Sequence, residues 1–236
     1  MSVRREKLLV AIVLQTLIAT AFAEAQRWNA GIVSPPPPWL ISRADAWIPF
    51  VPASVWLYAS WYVAPIVIAL ADRMTFRRAA IAVLLGFLVC AIGWIAIPAT
   101  MPRPNLDAES GASIAMLRTV YRMDPPANLF PSFHAALAAI IARVATGMPA
   151  LVRLTVPPWM FLICVSCVTT KQHYLFDVLA GALVGFGTWG GAVRLVDYLG
   201  RVRGPRDARH HATTPPITST SVAANATNAE SGISAS

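Results

Sequence analysis

Residues 79–99 read AAIAVLLGFLVCAIGWIAIPA, 21 consecutive positions without a charged side chain. Wound as an α-helix rising about 1.5 Å per residue, the run is roughly 30 Å long, the thickness of a bilayer's hydrocarbon core. Apolar side chains on every face leave no stripe for water, so such a helix belongs in lipid or in the middle of a large core. Working outward, similar runs stand at Leu8–Ala23, Val51–Ala71, about Ser132–Met148, Leu154–Thr170 and Leu175–Leu199. The expected fold is therefore all-α, an integral membrane six-helix bundle. Bulk composition agrees: 56% hydrophobic against 13% charged residues, with mean hydropathy +0.58, is far from the balance of a water-soluble domain.

A net charge of +8 raises the question of nucleic acid, but the basic residues sit at the ends of apolar runs instead of interleaving with exposed aromatics. No nucleic-acid partner is expected. With the N-terminus inside, 13 of the 19 Lys and Arg fall on the cytoplasmic side: Arg4, Arg5, Lys7, Arg73, Arg77, Arg78, Arg143, Arg153, Arg194, Arg201, Arg203, Arg206 and Arg209. Arg27, Arg43, Arg103, Arg118, Arg122 and Lys171 fall outside. The positive-inside bias thus predicts a multi-pass protein of the cytoplasmic (cell) membrane with a cytoplasmic C-terminus.

Four segments follow from this. Residues 1–25 form the first span, although Arg4, Arg5 and Lys7 ahead of an apolar run ending Ala21-Phe22-Ala23 also fit a cleaved secretory signal; retention is favoured because it completes six spans. Residues 26–50 are an outer loop with four prolines, Pro35 to Pro38, and Trp28, Trp39 and Trp47, read either as a stiff segment anchored among headgroups or as a spacer. Residues 51–203 hold the membrane catalytic core. Residues 204–236 turn polar and are expected to be a disordered cytoplasmic tail. Cys90, Cys164 and Cys167, an odd number inside apolar runs, define no disulfide framework.

Chemistry-bearing residues gather at the openings of spans, all on the outer side. Asp177 stands four residues after His173, so on a helix the two share a face and the carboxylate can hold one imidazole nitrogen, leaving the other free as a nucleophile. A carboxylate in an apolar span costs roughly 2.5–3.5 kcal/mol on insertion scales, so Asp177 needs a partner; the blander alternative is a structural His–Asp tie between helices. Pro131-Ser132 reads as a helix start with Ser132 as N-cap, aiming the positive end of the dipole and its N–H groups outward, where a phosphate binds. His134, in the first turn, is placed to give a proton to a leaving oxygen. Arg103, between Pro102 and Pro104, lies near the surface with its fork available to two phosphate oxygens, and Lys171 would add a point charge; both would equally suit lipid headgroups.

Two further features concern packing. Within residues 110–123, Ile114, Leu117 and Tyr121 recur at helical spacing with Arg118 and Arg122 one turn apart, which predicts an interfacial helix that either selects the headgroup or merely covers the surface. Gly181 and Gly185 form a G-x-x-x-G that lets a neighbouring helix approach closely. If that neighbour is the fourth span, His134 is brought to His173.

Over about Ala96 to Gly185 the chain resembles the type 2 phosphatidic acid phosphatase superfamily, closest to its inositolphosphorylceramide-synthase-like (inositolphosphotransferase) branch. The motifs are Phe-Pro-Ser-x-His-x-Ala at Phe130–Ala136 and Lys-Gln-His-Tyr-x-x-Asp-x-x-x-Gly at Lys171–Gly181. The resemblance implies His173 as nucleophile oriented by Asp177, His134 as general acid, and phosphate contacts from Arg103 and Ser132. A phosphohistidine would form on His173 as the ester bond of a lipid phosphate breaks, and its phosphoryl group would pass to water or to a second lipid's hydroxyl, with no metal and no cofactor. The sequence departs from the phosphatases at three places: Ala96 stands where they have a lysine, Ser166-Cys167 where they pair serine with arginine, and Phe133 where they have glycine. Two cations are missing, which leans towards the phosphotransferase branch and leaves room for an inactive homologue acting as scaffold or transporter. A different class, a b-type haem protein ligated by His134 and His173, would explain neither Asp177 nor the Pro-Ser helix start. Expected partners are a lipid phosphate substrate and membrane lipids.

Overall fold

The computed structural model describes residues 3–32 and 34–211, with backbone alone for 3, 4, 30 and 203–211. Its helices are α1 (Val3–Ala30), α2 (Arg43–Trp47), α3 (Val55–Ala59), α4 (Ile66–Leu70), α5 (Arg73–Ala96), α6 (Ala112–Met123), α7 (Phe133–Ala145), α8 (Ala150–Thr169) and α9 (Leu175–His211). Short 3-10 turns at Pro52–Ser54 and Ser60–Tyr62 precede and follow α3. Among the described residues the only β element is an isolated bridge between Ser34 and Ala99. The fold is all-α, and the protein is a membrane protein: five helical segments, Arg5–Asn29, Pro52–Leu70, Arg73–Ala96, Ala150–Thr169 and Leu175–Val202, are long and apolar enough to cross a bilayer.

The fourth expected span differs. Where a run over about Ser132–Met148 was expected, α7 has 13 residues, roughly 20 Å at about 1.5 Å per residue. Its ends explain this: Pro131 and the Ser132 cap start it, and a turn at 146–148 followed by Pro149 stops it. Eleven of its 13 residues are buried, so α7 is the bundle's interior helix. The Val51–Ala71 run also differs, being α3 and α4 in series; Pro65, which has no N–H to donate, begins the second piece.

Around α7 the packing is close. A Cβ placed on Gly181 would lie 2.1 Å from the Ser132 carbonyl oxygen, and one on Gly185 2.2 Å from that of Ala136. The G-x-x-x-G of α9 therefore seats the backbone of α7 directly, as the sequence suggested for the fourth and sixth spans. On the opposite flank Gly93 of α5 meets Pro131 and Phe130, and Trp94 Nε1 donates to the Pro131 carbonyl at 3.0 Å. Phe87, Phe133 and Trp94 interlock edge to face behind this contact.

The Pro- and Trp-rich segment ahead of α3 is hydrogen-bonded into the fold. Ser42 and Asp45 form a capping box on α2, and Asp45 Oδ1 accepts from the Leu175 N–H at 2.8 Å, capping α9. Lys171 Nζ donates to the Ile48 carbonyl and Val51 N–H to that of Thr169. At the other end of the bundle Lys7 Nζ donates to the carbonyls of Ala69 and Ala71, and Arg73 pairs with Glu6.

The chain falls into two units, one through Val196 and a second from Asp197. Within the second, Arg201 Nε donates to the Asp197 carbonyl. Of the segment 204–236 expected to be a disordered tail, the residues through His211 continue the backbone of α9. The rest of that segment, residues 212–236, lies outside the described residues.

Candidate active site

Each candidate side chain is aimed by a local device. The N-cap hydroxyl of Ser132 accepts from the Ala135 N–H, as expected, and this starts α7 with His134 in its first turn. Ser132 N–H donates to the Asp177 carbonyl at 3.0 Å, tying that start to α9. His173 is aimed by the end of α8. Gln172 N–H bonds the Cys167 carbonyl, Lys171 N–H bonds that of Val168, and Lys171 has φ +53, which together make a Schellman motif closing the helix. Cys167, standing where the phosphatases carry a cation, thus contributes its carbonyl, which also accepts from His173 N–H. Ser166 Oγ bonds the Ile163 carbonyl within its own helix.

The two histidines meet. His173 Nε2 lies 3.4 Å from His134 Nδ1, with ring centroids 5.5 Å apart and both residues buried. On the far side, His173 Nδ1 faces Asp177 Oδ2 at 3.4 Å, long for a hydrogen bond, while the same oxygen accepts from Tyr174 N–H at 2.9 Å. Direct contact between the rings leaves no room for a macrocycle, which counts against ligation of a haem between them.

Arg103 is held above Tyr121, 4.3 Å from the ring centroid. Its Nη1 donates to the Tyr121 carbonyl and its Nη2 to the Asp124 carbonyl and to Gln172 Oε1. Burial pushes its pKa down, opposed by the nearby Asp124 carboxylate. Among the described residues three buried atoms here lack a hydrogen-bond partner: Arg103 Nε, Gln172 Nε2 and Asp177 Oδ1. Two of these are donors on hydrogen-bonded neighbours next to His173. Lys171, by contrast, has its ammonium on Ile48, and Arg118 donates to the carbonyls of Leu106 and Glu109, holding the preceding loop. Helix α6 forms where expected, but its contribution to this cluster is Tyr121.

The structure adds residues that the sequence did not single out. Tyr58 Oη bonds both Asp124 Oδ2 at 2.6 Å and His134 Nε2 at 2.8 Å, and Gln26 Nε2 donates to Asp124 Oδ1 at 2.6 Å. The Trp61 ring lies 4.6 Å from that of His134. Beside them is a pocket of about 190 Å³ between α1 and the centre of the bundle, lined by Gln26, Phe22, Trp61, Asp124, His134 and others. A smaller apolar one of about 60 Å³ shares Gln15, Ile18, Trp61 and Phe133 with it and runs on towards Phe76.

The family model described as PAP2 superfamily matches residues 77–201, more than half of the chain. The chain belongs to the PAP2 superfamily. No curated protein and no solved structure matches it. Membership supports phosphatase or phosphotransferase chemistry on phosphate esters, and the matched range contains Arg103, Ser132, His134, Lys171, His173 and Asp177. In this PAP2 protein Tyr58, Gln26 and the α1 wall of the pocket lie outside that range.

Proposed function

We propose that this PAP2 protein transfers the phosphoryl group of a membrane lipid phosphate ester through a phosphohistidine on His173. His173 Nε2 attacks phosphorus, Asp177 holds the opposite nitrogen, and His134 gives its proton to the departing oxygen. Water or a second lipid's hydroxyl then displaces the histidine, with His134 taking back a proton. The observation that carries the reading is the facing pair, His173 Nε2 and His134 Nδ1 at 3.4 Å, beside the partnerless donors Arg103 Nε and Gln172 Nε2. Those donors and the positive end of α7 supply what phosphoryl oxygens need without a metal. Ser132 acts as the cap that builds that end, and Lys171 as the turn residue that closes α8, its ammonium on the Ile48 carbonyl.

A single arginine with Asp124 close by suits a phosphorus carrying one negative charge. That favours a phosphodiester donor over a dianionic monoester, and hence the inositolphosphorylceramide-synthase-like branch and transfer over hydrolysis. The apolar groove along α1 suits the hydrocarbon tail. Retention of α1 fits its packing, with Ile18 buried and Phe22 edge-on to Trp94. The positive-inside bias puts the site at the extracytoplasmic face of the cell membrane.

The test is a panel of phospholipid and isoprenoid-phosphate donors, scored for free phosphate and for transfer to a second lipid, with wild type and His173→Ala side by side. Turnover of at least one donor by wild type, lost in His173→Ala, is expected. No turnover of any donor would point to an inactive homologue serving as scaffold or transporter.

A further inference from the structure

The bonds flanking the two histidines assign their protons. Tyr58 has one hydroxyl hydrogen and lies within 2.6 Å of Asp124 Oδ2 and 2.8 Å of His134 Nε2. A carboxylate only accepts, so that hydrogen goes to Asp124, and His134 Nε2 must then carry a hydrogen directed at Tyr58 Oη. On the other ring, His173 Nδ1 faces the carboxylate of Asp177 and carries its hydrogen there. The nitrogens left over are His134 Nδ1 and His173 Nε2, which face each other. Two bare lone pairs at that distance repel, and a single proton between them removes the conflict.

We propose that Asp124, acting through Tyr58, is the second carboxylate of the site, a positioning residue that holds His134 as the imidazolium acid just as Asp177 holds His173 as the nucleophile. Both Asp124 oxygens are fixed, one by Tyr58 and one by Gln26, and the carboxylate lies 3.9 Å from His134 Nε2. The groups facing His134 are Tyr58, Trp61, Asp124 and His173; burial and the neighbouring His173 disfavour the charged ring, and Asp124, the one negative group among these, opposes them. Arg103 meets Asp124 through the backbone carbonyl, so the carboxylate itself stays directed at the Tyr58–His134 side. In the first displacement the His173 Nε2–phosphorus bond forms, the phosphorus–oxygen bond to the leaving group breaks, and the proton on His134 Nδ1 moves to that oxygen. His134 is left neutral, its Nε2 hydrogen still on Tyr58, ready to take a proton from the incoming hydroxyl.

This rests on the phosphohistidine reading, and its test separates the two. Tyr58→Phe and Asp124→Asn are compared with wild type on two donors that share one lipid phosphoryl group, one losing an unactivated alcohol and one losing nitrophenol, which needs no acid. The first displacement, read as the pre-steady-state release of the leaving group, is expected to slow on the order of 10²-fold for the alcohol donor and by less than about threefold for the nitrophenyl donor. Equal losses on both donors, or none on either, would overturn the proposal. Tyr58→Phe keeps the buried ring, so it carries the comparison even if Asp124→Asn does not fold. His173→Ala serves as control: equal activity of wild type and His173→Ala on the nitrophenyl donor would sink the phosphohistidine reading itself, whatever the Tyr58 result.

Discussion

Helices α7 and α1 border the same histidine and are held in opposite ways. Backbone to backbone, α7 meets α9 at Gly181 and Gly185, with eleven of its 13 residues buried. Only 6% of the most apolar stretch of α1 is buried; Leu8, Ile12 and Leu17 are each more than half exposed, and the pockets lie along its inner side. The contrast assigns work to each side. On the proposed function, chemistry that needs two imidazoles in register falls where glycines leave no play, and a lipid tail would fall where the packing is loose. The polar contacts that α1 makes lie at its two ends: Glu6 and Lys7 bond Arg73 and the carbonyls of Ala69 and Ala71, and Gln26 bonds Asp124 while Asn29 bonds Asn128.

The sharpest way to break this comparison is to force the tight side apart. Gly181→Val is expected to cut turnover at least 10²-fold, about the loss of a general acid, because a branched side chain collides with the Ser132 carbonyl and displaces His134 from His173. The accompanying stability loss, about 1–3 kcal/mol, is read as a lower Tm in detergent. Gly187 is the internal control, since a Cβ there meets nothing within 4 Å. Gly187→Ala should keep full activity and gain about 0.5–1 kcal/mol. Equal effects at the two positions would mean that the glycines matter only as helix breakers.

A smaller effect is expected from filling the loose side. Ile18→Trp, in the groove shared by both pockets, should raise KM for long-chain donors about tenfold while leaving short-chain turnover near wild type. A uniform fall in kcat across chain lengths would remove the groove from the account and leave the tight side untouched.

What could be read from sequence divides along the same line. The His173–Asp177 spacing, the Ser132 cap and the G-x-x-x-G are local patterns, each written within a few residues; the cap and the glycine pair form as read, whereas His173 lies ahead of α9, with Asp177 Oδ2 facing its Nδ1 at 3.4 Å. Tyr58 and Gln26 reach Asp124 across separations of 66 and 98 residues. Tyr58 looked like any aromatic in an apolar run, and Asp124, ahead of Pro125, looked like a loop carboxylate. Only the third dimension makes them neighbours of His134. The shortness of α7 did have a signal, Gly147 and Pro149, which an apolar count over Ser132–Met148 averaged away.

The central claim is that His173 is the nucleophile, and covalent labelling tests it most directly. His134→Ala protein is incubated with a donor carrying radiolabelled phosphorus and a nitrophenyl leaving group, then quenched in base and mapped. The account predicts an acid-labile, base-stable label on His173 that accumulates because the second displacement lacks its base, and that disappears in His173→Ala. A label at any other residue, or one that survives His173→Ala, would contradict it.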